Sequence, residues 1–310
     1  NGIYPVYGAA GYLGSIDSFK QSKPYVAVVK DGAGIGRAML LPSNSSIIGT
    51  MQYLLPKDNI LPEYLYYLIK AKHLEKYYSG ATIPHIYFKD YKNEEFDLFS
   101  FEIQYQIINK LKIIEKIIEK QKKEMDLLDE LVKARFVEMF GDIISNDKNW
   151  NSKPLKELCD ISRGASPRPI SDYLGGTIPW IKIGDATIGD SIYINSTKEH
   201  IIKEGVRKSR FIKKGSLIFA NCGVSLGFCR IINFDGCIHD GWLAFQNIDT
   251  SLNKIFLLTT INQMTGYFRK IAPGGTQPNL NTDIVGNYIQ VVPPLELQNQ
   301  FADFVKEVDK

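Results

Sequence analysis

Residues 104–139, QYQIINKLKIIEKIIEKQKKEMDLLDELVKARFVEM, decide how the rest of the chain is read. Ile107, Leu111, Ile114, Ile118, Gln121, Met125, Leu128, Val132, Arg135 and Met139 recur in steps of three and four. Only Gln121 and Arg135 break the apolar seam, and the positions between are mostly Lys and Glu. A heptad pattern held for about five heptads predicts one long helix packed in a coiled coil. No Pro or Gly interrupts it before Gly141, the expected stop. At about 1.5 Å per residue the stretch is roughly 54 Å long. Ile103, Ile108, Ile117, Leu131 and Phe136 widen the stripe, so the helix is expected to need a partner rather than to span solvent.

Outward from this helix, the 310 residues suggest two domains with ordinary globular composition. The net charge of +3 is unevenly spread. Residues 1–101 carry ten Lys/Arg against nine Asp/Glu, residues 102–140 eight against eight, and residues 151–294 sixteen against eleven. The third piece is therefore the one compatible with a phosphate-facing surface. Cys159, Cys222, Cys229 and Cys237 form no C-x-x-C pair. Cys222, Cys229, Cys237 and His239 match no usual zinc spacing, so buried free thiols are expected. Without a signal peptide or a membrane-length apolar run, the expected location is the cytoplasm.

On either side of the helix, short apolar runs are punctuated by Gly and Pro. Residues 25–30, 37–41 and 50–55 read as strands, and 62–78 as a helix with Pro in its first turn. Residues 149–294 follow the same order, with strands at 177–183, 216–220, 227–232 and 243–246 and a helix over 253–271. At a shift of 194 residues, Gly80, Thr82 and Pro84 fall on Gly274, Thr276 and Pro278. Asn93 falls on Asn287, and Glu102, Gln104 and Gln106 fall on Glu296, Gln298 and Gln300. The chain reads as a duplication: globular unit, helix, globular unit, helix. The shift puts the counterpart of Trp150 about 44 residues before Asn1 and that of Gly141 near 335. The front of the first unit and most of the second helix are therefore expected to be missing. The second helix is expected to cover less than half of the first, leaving Met125, Leu128, Val132 and Met139 exposed or buried against another chain, through self-association or docking of another subunit.

Two such units, each followed by a long helix, resemble the specificity subunit of type I restriction-modification enzymes. The likeness rests on residues 289–301 (IQVVPPLELQNQF), on Pro278-Asn279-Leu280, and on Ile178-Pro179-Trp180-Ile181 followed by Gly184-Asp185. It covers nearly the whole chain, although the first unit has His85-Ile86 where the family often has Asn-Leu. The resemblance implies an α+β fold: two β-rich target recognition domains, residues 1–101 and 149–294, separated by long helices at 102–141 and 295–310 that form an antiparallel coiled coil. It implies that each domain reads half of a split double-stranded DNA target. It further implies that the helices space the domains and dock methyltransferase subunits, and that a restriction subunit joins through the complex. Neither catalysis nor a cofactor is implied for the chain itself, and no membrane partner.

Recognition of this kind needs cations for phosphates and polar side chains on loops for base edges. In the second unit the candidates are Arg163, Ser166, Arg168, Arg207, Lys208, Arg210, Gln277 and Asn279; in the first they are Lys30, Arg37, His85, Tyr87 and Lys89. Thr82, Thr276, Pro84 and Pro278 are expected to shape the loops. A rival reading starts from Asp31-Gly32-Ala33-Gly34-Ile35-Gly36, which resembles an S-adenosylmethionine loop. Such a loop needs a helix after it, and RAMLLPSNSS reads as strand and turn. The Asn/Asp-Pro-Pro-aromatic motif of amino-methyltransferases is absent, and so is a phosphate-binding P-loop. A coiled-coil scaffold that binds only protein is the remaining alternative.

Overall fold

The run Tyr25–Val29 is buried at every position, which marks it as a central strand. Its side chains alternate: Val26 and Val28 enter one core, while Tyr25, Ala27 and Val29 enter another. Ala38–Leu41 and Met51–Leu54 pair antiparallel on either side of it. Leu217–Ala220 does the same work in the second half, with Leu217 and Phe219 in one core and Ile218 and Ala220 in another. The computed structural model describes residues 2–80, 83–187, 192–223, 225–273 and 278–309.

The two sheets share a register. Val29 lies opposite Met51 and Val28 opposite Ala38; Ala220 lies opposite Trp242 and Phe219 opposite Cys229. Each pair maps onto the other at an offset of 191 residues. The first sheet has these three strands, whereas the second adds Tyr193–Ile194 at one edge and Asp160–Arg163 at the other. Each half also has a smaller sheet. One joins Gly11–Ile16, Tyr4–Gly8 and Ser46–Ile47; the other joins Glu199–Ile201, Leu174–Ile181, Gly236–Ile238 and Arg210–Ile212.

The two helices predicted inside the globular units are both interrupted. The expected helix over 62–78 ends at Ala71, and His73 takes a left-handed conformation (φ 50°) before a 3-10 turn at Leu74–Tyr77. The turn buries Leu74 completely. It is tied down by Glu94, whose carboxyl is held down to about 2 by hydrogen bonds from Lys76, Tyr77 and Lys72. The expected helix over 253–271 splits at Met264 into Lys254–Gln263 and Thr265–Ile271. Thr265 Oγ1 donates there to the Gly227 and Asn262 carbonyls, fixing the break. Asn253 caps the first piece by accepting from the Ile255 and Phe256 amides.

Contacts divide the chain into two compact units, Asn1–Glu124 and Met125–Lys310. The long helix Phe101–Phe140 contributes to both. It ends where expected, at Gly141 in a left-handed conformation (φ 75°), where a Cβ would strike the Asp147 carboxylate. Its start is anchored by Gln104, which is fully buried. Gln104 accepts from the Leu61 amide at 2.8 Å and donates to the Asn59 and Phe99 carbonyls at 3.0 and 2.8 Å. Gln298 repeats the device at the start of Leu295–Val308. It accepts from the Asn253 amide at 2.8 Å and donates to the Ser251 and Pro293 carbonyls at 2.9 and 2.7 Å.

At its far end the long helix packs Phe136 and Phe140 on Phe301 (5.3 and 5.5 Å between rings), while Arg135 lies over Phe304. These contacts step in opposite senses along the two helices. One expectation needs correction. Met139 is buried and Val132 is partly buried in the same core, so this chain covers them itself. Short as it is, Leu295–Val308 and the adjoining Lys254–Gln263 close over that end. Ile114, Ile118, Met125 and Leu128 remain exposed, while Ile107 and Leu111 are half-buried. Among the described residues no helix is long and apolar enough to cross a membrane.

Replacing Gln104 or Gln298 by Leu removes the side-chain partner of one amide and two carbonyls, most of them part-buried. Hydrogen bonds of this kind contribute about 0.5–1.5 kcal/mol each, so each variant is expected to lose about 1.5–4 kcal/mol. All three tryptophans, Trp150, Trp180 and Trp242, lie in the second unit. Urea unfolding followed by tryptophan fluorescence is therefore expected to move for Gln298→Leu and to stay in place for Gln104→Leu.

Candidate nucleic-acid interface

The glycine turn after each central strand docks on the loop that follows the proline. In the first unit the Ile86 amide donates to the Lys30 carbonyl (2.9 Å) and the Gly32 amide to the Pro84 carbonyl (2.8 Å). In the second, the Leu280 amide donates to the Asn221 carbonyl (2.8 Å) and the Gly223 amide to the Pro278 carbonyl (3.2 Å). Both turns are closed from within, by Ile35 on Gly32 and Gly36 on Val29, and by Leu226 on Gly223 and Gly227 on Ala220. These amides are consumed by the fold and do not face a ligand. The strand Ala38–Leu41 follows, not a helix. The arrangement disfavours the S-adenosylmethionine reading of residues 31–36.

This docking gathers the first unit's candidates. His85 is half-buried, with Nδ1 ion-paired to Asp31. Its ring meets Tyr87 edge-on at 4.7 Å, and Lys89 lies 5.2 Å above Tyr87. Lys30 is half-buried beside them through its backbone. Arg37 is exposed and directs its guanidinium to the Ala9 carbonyl.

In the second unit the organiser is Asp240, which the sequence did not single out. Its carboxylate accepts from Ser166 Oγ at 2.7 Å and from Arg168 at 3.3 Å. Arg163 Nε donates to the Asp240 carbonyl at 3.1 Å, and Arg210 Nε donates to the Arg163 carbonyl at 3.1 Å. Ser166, Arg168, Arg163 and Arg210 thus converge. Burial alone would raise the Asp240 carboxyl, but Ser166, His239 and Arg168 outweigh it and hold it below the ordinary range. His239 Nδ1 accepts from the Gly241 amide at 2.6 Å, a role open only to a ring unprotonated at that nitrogen. Burial lowers its pKa, and the Asp240 charge opposes that shift. Burial likewise pushes the Cys222 thiol up, with Asp240 adding to it.

Arg207 and Lys208 are exposed, with Lys208 bonded to the Tyr173 hydroxyl and lying over that ring at 4.9 Å. Asn279 is exposed and tied to Asn221. Gln277, with Thr82, Gly274 and Thr276 of the repeated loops, lies outside the described residues. Cys159, Cys229 and Cys237 are buried free thiols and Cys222 is half-buried. Among the described residues no group of three or more His, Cys, Asp or Glu could hold a metal ion. Asp31 and Asn221 were noted in sequence only as parts of the glycine turns and not as partners of His85 and Asn279, and Asp240 was not singled out at all.

A profile of the type I restriction modification DNA specificity domain matches residues 1–125 and 147–310. The chain belongs to this family. It is 25% identical over 284 residues to the Type I restriction enzyme MjaIX specificity subunit of Methanocaldococcus jannaschii, covering 82% of this chain and 63% of that protein. It is 23% identical over 311 positions to the MjaVIII specificity subunit of the same organism, covering 92% and 72%. Its fold is similar to the S subunit of the M. genitalium type I restriction-modification system (TM-score 0.58, 18% identity, 99% of this chain and 82% of that one). A second similar chain comes from a structure of type I restriction-modification complex assembly and conformational transition (TM-score 0.52, 17% identity, 98% and 83%).

The Asp240 charge is the largest influence raising the His239 pKa against burial. Asp240→Asn is therefore expected to lower it further. The chain has four histidines, so the ring can be followed by NMR titration. An unchanged midpoint in the variant would show that the charge does not reach the ring.

Proposed function

We propose that this chain is the non-catalytic DNA-reading subunit of a type I restriction-modification complex. Each unit reads one half of a split duplex target, and the chain directs methyltransferase and restriction subunits to it. Residues 1–101 and 149–294 are the reading domains, and 102–141 and 295–310 are the spacer helices. The observation that carries the reading is the repeated docking of a glycine turn on a proline loop, with exposed polar and cationic side chains gathered beside it in each unit. In the second unit, Arg163, Arg168 and Arg210 supply donors for phosphate or guanine, arranged by Asp240. In the first, His85, Tyr87 and Lys89 form the corresponding group.

The exposed stripe of the long helix is assigned to the methyltransferase subunit. Met125 is 65% exposed and Leu128 41%, and apolar patches of this extent mark interaction surfaces. A scaffold without DNA reading would need the stripe but not the gathered arginines.

The reading is tested by co-expressing the chain with its methyltransferase subunit and mapping methylated sites, with a split motif of fixed gap as the expected result. Arg168 is 79% exposed, so truncating it costs the fold little. Arg168→Ala is expected to weaken specific binding by about 1–3 kcal/mol, in the half-site read by the second unit alone. Equal weakening of both halves would assign the residue to phosphate or to the fold. A Leu128→Glu, Met125→Glu double variant is expected to lose the methyltransferase subunit on co-purification while keeping its own melting temperature. Retention of the subunit would move the docking surface elsewhere.

A further inference from the structure

The loop that faces Asp240 is seated firmly on the second unit. The Gly164 amide donates to the Trp242 carbonyl at 2.8 Å and the Ala165 amide to the Ile238 carbonyl at 3.2 Å. A Cβ at residue 164 would lie 2.1 Å from the His239 carbonyl oxygen, so this approach depends on glycine. Ser209 Oγ donates to the Ala165 carbonyl at 2.7 Å and ties the loop to the segment that carries Arg210.

Ser166, next in this loop, is spent on Asp240. Its Oγ accepts from the Asp240 amide at 3.3 Å and donates its one proton to Oδ1 at 2.7 Å. The hydroxyl has no donor left for a base, and its effect is to orient the carboxylate. Burial works against the Asp240 charge, but Ser166, His239 and Arg168 keep the carboxyl below its ordinary range. An ionised carboxylate only accepts, with room for about four hydrogen bonds. Among the described residues Ser166 and Arg168 take two of them, and the side chain is 45% exposed. A phosphate brought here would meet this negative charge, whereas a base edge that presents an amino group would be welcomed.

Arg168 lies beside the carboxylate at the surface, with Nη2 3.3 Å from Oδ2. Guanidinium and carboxylate thus offer donors next to an acceptor. In the major groove a G·C pair presents acceptor N7, acceptor O6 and donor N4 in order, and an A·T pair acceptor N7, donor N6 and acceptor O4. Two donors followed by an acceptor complement the first order and clash with the second. On A·T, the adenine amino group would face the guanidinium and thymine O4 the carboxylate.

We propose that Asp240 is a specificity-determining residue that reads one G·C pair together with Arg168, accepting from cytosine N4 while the guanidinium donates to guanine O6 and N7. This inference rests on the DNA-reading function proposed above. Ser166 is the positioning residue that aims the carboxylate. Arg163 and Arg210, each with Nε tied to a backbone carbonyl, keep the cluster positive towards the duplex. The acid at its centre turns phosphates away and reserves Arg168 for a base, an attraction and a repulsion built into one pair.

The test selects binding sites from randomised duplex DNA, using the full chain bound to its methyltransferase subunit. The wild-type motif is expected to hold a G·C pair in the half-site read by the second unit. Asp240→Asn and Arg168→Ala are each expected to cut discrimination about tenfold at that pair alone, with the other half-site unchanged. Asp240→Asn keeps an acceptor for Ser166 but loses the charge, so its binding to non-specific duplex is expected to rise severalfold. A fall instead would assign Asp240 to bracing the loop and overturn its reading role. Circular dichroism melts of both variants separate these effects from loss of fold. An unaltered motif in Asp240→Asn, different base pairs affected by the two variants, or equal loss in both halves would overturn the inference while leaving DNA reading standing. A wild-type complex that selects no motif would overturn both.

Discussion

A buried amide that must satisfy three backbone groups sets how each unit is joined to its helix. Gln104 and Gln298 are themselves fully buried, and each accepts from one amide and donates to two carbonyls. One carbonyl lies just before the helix, and the other two groups belong to the segment leading into the unit's own helix, Pro62–Ala71 or Lys254–Gln263. In a low-dielectric setting such a network is all or nothing, because any partner left over carries its full desolvation cost. Glutamate could not serve, since it cannot donate to two carbonyls, and leucine could serve none of the three. The start of the long helix is thereby tied to the first unit, and its last turns belong to the second unit's core through Phe136, Phe140 and Phe301.

The candidate interface sits on this frame but is not part of it. Asp240 gathers Ser166 and Arg168 through its carboxylate and the Arg163 side chain through its carbonyl, without burying a cation. An exposed ion pair is worth about 0–1 kcal/mol, so in the DNA-reading role proposed above a phosphate or guanine would take Arg168 from Asp240 at little cost. The polar residues behind the surface, Asn221 and Asp31, do a different job: they fix the orientation of the group in front.

What was legible in the sequence followed from periodicity and from the repeat. The strand at 25–29, the unbroken long helix, its glycine stop and the paired glutamines all appear as read. The breaks at His73 and Met264 did not, because a helical pattern continues through both while a tertiary tie, Glu94 in one case and Thr265 in the other, ends the helix. Val132 and Met139 were expected to be exposed or buried against another chain because coverage was counted from the second helix alone. In the fold, Lys254–Gln263 supplies Phe256 against Phe136 and Phe140. The arginines and Ser166 were found from their loop setting. Asp240 was not, since an acid among bases reads as ordinary surface until its partners are known.

The central sheets differ at their rims. Asp160–Arg163 and Tyr193–Ile194 flank the three shared strands of the second unit, while in the first unit Met51–Leu54 and Ala38–Leu41 are the outermost strands. Each outermost strand presents one row of unpaired amides and carbonyls, a template for another extended chain. In the first unit these rims begin beside the turn that carries Lys30 and Arg37, since the Lys30 amide donates to the Thr50 carbonyl and the Val29 amide to the Arg37 carbonyl.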